Sequence, residues 1–536
     1  MALANARGSR SILSLIDQYA VETPSRVWAA VPLDDSDLGK GFTDITFTRL
    51  ANAINHAAAW MTQNLGPASM PYETIAYTGP KDLRYPIVAL AVAKISRKLL
   101  LPSPYASKNA QAHLLDHSDC RYFLHAASFG EEVKKVLFST QRQQAKSIEI
   151  PSLGDWLTEK KAPYLPFSGP WKDVASIPWL IFHTSGTTGL PKLVTYTHQM
   201  MASLDAAELM PDGNEETMNR HFEKKRWYTP LPSLHFVGMT VALQFTVYLG
   251  AVLVVGPASP GPTSPHIARC VLERGKVEGA MLPPALIEGL CEDDAGLESL
   301  RRLEHLYFAG APMPRKAAEK LLGHVPVKPA MGSTEAGAYF LKIIDQDDWE
   351  YYSFRPAMGL KFRLFAKDLY EPVFVRHPSI ERWQQVFQVY PDLQEFSTKD
   401  LFSPHPSMPG RWKYVGRTDD VVILSHGECL YAAGLEEMIT AHADLSAVLI
   451  GGQGRARPFA IIESKGNLPM STEDHASFIS VIDSVNKSSS ELVKLHSDML
   501  IYARSEKPLV RTPKGTIARR ESEQLYAKEI ELLYVT

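Results

Sequence analysis

The residues best suited to chemistry crowd into one stretch, His183-Thr184-Ser185-Gly186-Thr187-Thr188-Gly189-Leu190-Pro191-Lys192. It combines four hydroxyls, turn-forming glycines and proline, and a lysine, directly behind the apolar run Trp179-Leu180-Ile181-Phe182. A strand that feeds such a loop can grip phosphate oxygens. Free backbone N–H groups and hydroxyls act as donors, and the ammonium adds a point charge. The spacing is not GxxxxGK[ST], so this is not a Walker A loop. Taken alone, the same composition also describes a surface turn.

The elements that would carry this loop alternate between helix and strand. Helices are expected over 11–19 and 50–61, with a strand-and-helix unit from Ile75. A helix over 86–99 leads into Leu100-Leu101. Strands are expected at 179–182, 251–255 and 305–308, with a turn at Gly310-Ala311-Pro312-Met313-Pro314. Repeated alternation predicts an α/β fold: a large N-terminal domain with mainly parallel sheets. Strands at 360–364 and 372–375 suggest a small β subdomain. A turn-rich boundary at Gly416–Asp420 precedes a second unit. There, strands at 421–424, 447–450 and 459–462 form a small sheet beside helices at 434–443 and 475–486.

At 536 residues, 45% hydrophobic and 21% charged, the chain has room for several domain-sized units. Lysine and arginine number 56 against 59 aspartates and glutamates, for a net charge of −3, so no nucleic-acid partner is expected. The 4 scattered cysteines give neither a disulfide framework nor metal-ligand spacing, which fits a reducing, cytoplasmic setting. The amino terminus lacks the apolar core of a signal peptide. Phe236–Ala258 carries no charge and is long enough to span a bilayer. Its interrupting glycines, Gln244 and β-branched second half indicate a buried helix followed by a buried strand, with no membrane partner.

The 184–192 loop resembles the signature of the adenylate-forming superfamily, which includes acyl-CoA synthetases, luciferases and peptide-synthetase adenylation domains. Further motifs stand in that family's order along the chain: Pro232-Ser233-Leu234-His235, Gly310-Ala311-Pro312, Gly332-Ser333-Thr334-Glu335, Asp400, Gly416–Asp420, Gly427-Glu428 and Lys514-Gly515-Thr516-Ile517. The resemblance implies a large domain, 1–417, holding ATP and a carboxylic acid. A small mobile α+β lid, 418–536, would turn about Asp419. Thr184, Ser185, Gly186, Thr187, Thr188, Gly189 and Lys192 would hold phosphate. Gly310, Met331, Gly332 and Ser333 would border the nucleotide, with Met331 where the family usually has Tyr. Asp400, in Ser397-Thr398-Lys399-Asp400 with Lys399 in place of the usual Gly, would take the ribose hydroxyls, assisted by Arg417. Glu335 would be the Mg²⁺ ligand and Thr334 its phosphate-bonding neighbour. By itself, Gly-Ser-Thr-Glu also reads as a helix N-cap with a nearby acid. Thr516 stands where the family's terminal Gly-Lys usually places the bridging lysine; the role is assigned to Lys514, because the order Lys514-Gly515-Thr516 resembles a variant in fungal reductases of this superfamily.

In amino-acid-activating relatives an Asp near the position of His235 pairs with the substrate amine. His235-Phe236 occupies that place here, so an acid without an α-amino group is expected, an aryl acid first. His235 also reads as a core histidine. Phe236, Met239, Met281, Pro283, Phe308, Ala309, Gly310 and Met331 are the expected pocket wall. The strings at 103–106, 397–402 and 514–516 resemble fungal non-ribosomal-peptide-synthetase-like carboxylic acid reductases. That resemblance implies a phosphopantetheine carrier domain and an NADPH-dependent reductase domain as partners. The chain has no GxGxxG and no carrier-like motif after residue 520, so it is expected to be the adenylation part alone. The alternatives are a stand-alone acyl- or aryl-CoA ligase and a catalytically silent nucleotide-binding domain.

Overall fold

Trp179, Leu180, Ile181 and Phe182 are all buried and form the centre of the strand Pro178–Thr184. A run without polar alternation is what a strand covered on both faces requires. The computed structural model describes residues 7–140, 145–167, 169–184, 190–211, 217–258, 263–426, 428–442, 444–466, 472–486, 491–511 and 517–535. The strand Pro178–Thr184 lies in a six-stranded sheet ordered Lys146–Glu149, Cys120–His125, Thr74–Thr78, Lys98–Leu100, Pro178–Thr184 and Lys192–Thr197. All its pairings are parallel except the last.

A seven-stranded sheet runs in the order Val327–Ala330, His305–Ala309, Gly279–Leu282, Arg226–Tyr228, Val252–Val254, Val27–Pro32 and Phe42–Thr46. It is parallel up to the antiparallel edge strand Phe42–Thr46. Helices Ile12–Glu22, Phe47–Leu65 and Arg84–Lys94 contribute their apolar faces to one large core, together with Trp28, Trp179 and Trp227. This is an α/β fold with mainly parallel sheets.

The helix expected over 86–99 ends at Lys94, and Leu99 belongs to a strand. Ser96, at φ 56, turns the chain, and Leu99 then pairs with Ile75 on one side and Leu180 on the other. Its apolar neighbours Leu100 and Leu101 carry no helical period that would oppose this.

The uncharged segment 236–258 divides into a helix and a strand. Phe236–Met239 is α-helical, and Thr240–Leu249 continues as a π-helix ended by Gly250 at φ 74. The strand Val252–Val254 follows. Helix carbonyls find donors in the core: Trp28 Nε1 reaches Ala242 O at 3.0 Å, and Tyr19 Oη reaches Val247 O at 3.2 Å. Among the described residues, no helix is long and apolar enough to cross a membrane.

By packing, the chain forms two units. One comprises 1–360, 374–396 and 405–412; the other comprises 361–373, 397–404 and 413–536. In the second unit, Leu445–Gly451, Phe459–Ser464 and Leu500–Tyr502 make a three-stranded sheet, packed on by Phe478, Ile482 and Val485 of the helix Thr472–Asn486. Val421–Ile423 does not join that sheet, contrary to the sequence-based expectation; it pairs antiparallel with Cys429–Tyr431. Its partner lies a few residues away, so local pairing replaces the longer-range one.

Candidate active site

In the first unit, several candidate residues directly follow parallel strands. Leu282 pairs with Phe308, and Ala309 with Ala330. Pro283, Gly310 and Met331 are therefore the first residues beyond the carboxyl ends of three adjacent strands. The segment Thr229–His235 leaves the carboxyl end of the next strand, Arg226–Tyr228. Ligands of open α/β sheets bind at that edge. Gly310 has φ 92, and a Cβ built there meets nothing within 4 Å, so the backbone is open to a ligand.

Thr184 and Lys192 stand opposite each other at the last pair of the Pro178–Thr184 and Lys192–Thr197 hairpin. Both therefore sit at the base of the proposed phosphate loop. Ser185, Gly186, Thr187, Thr188 and Gly189 lie outside the described residues, as do Gly427 and Lys514.

Thr334 and Glu335 occupy the tip of a short antiparallel turn in which Gly332 pairs with Ala338 and Ser333 with Gly337. The turn is internally braced. Ala336 N donates to Ser333 Oγ at 3.1 Å, Gly337 takes φ 74, and a Cβ on Gly332 would stand 2.6 Å from Gly337 O. Tyr196 Oη donates to Thr334 O at 2.9 Å. Burial pushes the phenols of Tyr196 and Tyr390 up, and the Glu335 carboxylate adds to both shifts.

His235 caps the short helix Phe236–Met239, and its carbonyl accepts from Met239 N at 3.1 Å. Gly238 allows this helix to lie against the preceding loop, because a Cβ there would stand 2.3 Å from Pro232 O. Phe236, Met239, Met281 and Ala309 belong to one buried apolar cluster, and Met331 packs against it. Phe308 does not belong there. Strand alternation turns it to the opposite face, into the cluster containing Leu282 and Trp349.

In the second unit, Arg417 and Asp400 lie 4.0 Å apart. Lys399 holds φ 65, so this lysine adopts the left-handed backbone that glycine favours, and its N–H donates to Glu371 Oε1 at 3.1 Å. Asp419 lies in the 3₁₀ turn Thr418–Asp420. Arg511 and Ile517, which flank the undescribed residues 512–516, form an isolated antiparallel bridge. Arg511 pairs with Glu463 at 2.6 Å, and Arg519 with Glu436 at 2.8 Å.

The donors suit Mg²⁺ and a nucleotide. Among the described residues no group of three or more His, Cys, Asp or Glu side chains is placed to hold a metal ion. A hard dication here would take the Glu335 carboxylate together with phosphate oxygens and water, as Mg²⁺ usually does. Sequence reading passed over Tyr196 and Gln385. The apolar alternation of Val194 and Tyr196 points the first inward. No local pattern marks Gln385, which is 1% exposed and close to Gly337.

Comparison with known proteins adds the family. The AMP-binding enzyme family matches residues 18–364, and the AMP-binding enzyme C-terminal domain matches 419–536. A carboxylic acid reductase of Neurospora crassa is 29% identical over 98% of this chain and 51% of its own length. An adenylate-forming reductase of Serpula lacrymans is 27% identical over 92% of this chain and 46% of its own. The chain thus spans about half the length of these curated relatives. The fold is shared with o-succinylbenzoate coenzyme A synthetase of Bacillus subtilis in complex with AMP, at TM-score 0.69 and 17% identity, covering 95% of this chain and 97% of that one. It is also shared with ATP-bound MatB of Rhodopseudomonas palustris, at TM-score 0.68 and 14% identity, covering 97% and 100%. With the family model matching 18–364 and its C-terminal domain matching 419–536, the chain belongs to the AMP-binding, adenylate-forming enzymes, which activate acids with ATP and Mg²⁺.

Proposed function

We propose that this chain converts a carboxylic acid without an α-amino group, an aryl acid first, into its acyl-adenylate, for transfer to a phosphopantetheine thiol on a carrier domain and reduction by an NADPH-dependent domain. The observation that carries the substrate class is the composition of the acid side. Phe236, Met239, Met281 and Ala309 share one apolar cluster, and Leu231–Thr240 contains no carboxylate to pair with an ammonium. An unpaired amine entering such a wall would lose its hydration without compensation.

In the reaction, an oxygen of the acid attacks the α-phosphorus of ATP, and the bond to pyrophosphate breaks. The carrier sulfur then attacks the acyl carbon, and AMP leaves. Neither step requires a protein nucleophile; the chain's contribution is alignment and charge placement. Thr184, Lys192 and the 185–189 loop grip phosphate, while Thr334 orients it. Bound Mg²⁺, taken by Glu335, would supply charge neutralisation on the phosphates. Gly310 leaves space beside the nucleotide. Asp400 and Arg417 take the ribose, and Lys514 bridges the acid and the α-phosphate. Residues 418–536 act as the lid that turns about Asp419.

The test is ATP–pyrophosphate exchange across benzoates, cinnamates, aliphatic acids and amino acids, followed by transfer to a phosphopantetheinylated carrier or to free CoA. Exchange should favour an aryl acid, and the acyl group should load the carrier. Preference for an amino acid would overturn the assignment of the acid side. Efficient thioester formation with CoA and none with the carrier would replace the reductase reading with that of a CoA ligase.

A further inference from the structure

Tyr196 is fully buried and is the penultimate residue of the strand Lys192–Thr197. Three contacts fix its direction. Its ring stands edge-on to Phe182 at 5.1 Å and 86°. It meets Phe236 at 5.3 Å and 42°. Its hydroxyl donates to Thr334 O at 2.9 Å. The two aromatic contacts restrict the ring, so the hydroxyl reaches the turn with little further conformational cost.

The recipient carbonyl precedes Glu335, and rotation of the Thr334–Glu335 peptide would swing the carboxylate. The internal bonds of the turn leave this peptide at the tip. The Ser333–Gly337 pair and the Ala336 N–Ser333 Oγ bond close the base around it. The next residue of the same strand, Thr197, lies 3.4 Å from Gln388 Oε1 through its Oγ1. The neighbouring Gln385 side chain abuts Gly337, with Oε1 2.6 Å from where a Cβ would stand.

We propose that Tyr196 is a positioning residue: its hydroxyl fixes the Thr334–Glu335 peptide so that the Glu335 carboxylate faces the Mg²⁺-bound phosphates. This rests on the assignment of Glu335 as the metal ligand. Burial, and secondarily the Glu335 charge, raise the Tyr196 phenol well above its usual range, so it remains a donor throughout the working pH range. Phenylalanine at this position would keep both ring contacts and remove only the donor.

The experiment is equilibrium binding of a fluorescent ATP analogue, with and without Mg²⁺, to wild type, Tyr196→Phe and Glu335→Gln. No acid is needed, so the result does not depend on knowing the substrate. The quantity read is the ratio of the two affinities, which a general loss of stability would leave unchanged. Tyr196→Phe should reduce the Mg²⁺-dependent tightening about three- to tenfold, the usual range for one hydrogen bond, while Mg²⁺-free binding stays unchanged. Hydrogen exchange at the 332–338 amides should quicken in the same variant. A wild-type Mg²⁺ response in Tyr196→Phe, with that response lost in Glu335→Gln, would overturn the role of Tyr196 alone. A wild-type response in Glu335→Gln would overturn the metal assignment and, with it, this inference.

Discussion

His198 offers a test in which the size of the effect follows from the structure. Its ring is 3% exposed, stacked on Trp179 at 4.8 Å and 13°, and 5.2 Å from Phe167. Nδ1 has no hydrogen-bond partner among the described residues. Burial lowers its pKa from 6.5 to about 4. The folded state therefore holds the ring neutral, while the unfolded chain takes up a proton as pH falls below 6.5. Stability from this group is fully present above pH 6.5, declines as pH drops towards 4, and is then lost. The full displacement corresponds to roughly 3 kcal/mol, of which about 2 kcal/mol is gone by about pH 5. Denaturant unfolding of wild type and His198→Phe at about pH 7.5 and about pH 5 reads the difference, because contributions from other groups cancel. Phenylalanine keeps the stack and removes the titration. Wild type should lose about 2 kcal/mol more than the variant between the two conditions. Equal losses would show that His198 is solvated or paired in the folded protein and would refute the argument.

Two packing predictions concern the first unit. Asp205, with a side chain 2% exposed, accepts from Gly8 N at 2.6 Å and Arg10 Nε at 3.0 Å. Asp205→Ala should destabilise by about 3 kcal/mol in denaturant unfolding, because the arginine is left unpaired, and Arg10→Leu with Asp205→Leu should recover much of that loss. Gly238→Ala would force a Cβ to 2.3 Å from Pro232 O, displacing the Phe236–Met239 helix. The expected outcome is a loss of about 1–3 kcal/mol together with a raised KM for the acid in pyrophosphate exchange; an unchanged KM would show that this helix does not border the acid.

The parallel sheets were legible because buried strands announce themselves as unbroken apolar runs, as at 179–182 and 305–308. The division of segment 236–258 into helix and strand was legible from its glycines and β-branched residues. Its π-helical stretch was not, because nine of its ten residues are buried and no polar face is left to reveal a period. The separation of Phe308 from Phe236, Met239 and Met281 has a simple cause. Alternation separates the faces of a strand, but only packing decides which face joins Phe236 and Met239, and Met281 and Tyr307 lie in that cluster while Phe308 lies in the opposite one. Lys399 illustrates the reverse: an apparent departure from the family pattern keeps the left-handed backbone that glycine would supply. Tyr196 and Gln385 act across 138 residues of chain in one case and against a glycine in the other, contacts that no local pattern encodes. The grouping of 361–373 and 397–404 with the C-terminal residues is equally non-local.

Acid-dependent ATP–pyrophosphate exchange is the most direct measurement, made with wild type, Glu335→Gln and Lys514→Ala under excess Mg²⁺. Exchange that needs an acid lacking an amine, and that falls by at least about a hundredfold in each variant, is the expected result. ATP binding with no exchange for any acid, or exchange at the wild-type rate in both variants, would contradict the assignment of this site as the centre of acid adenylation.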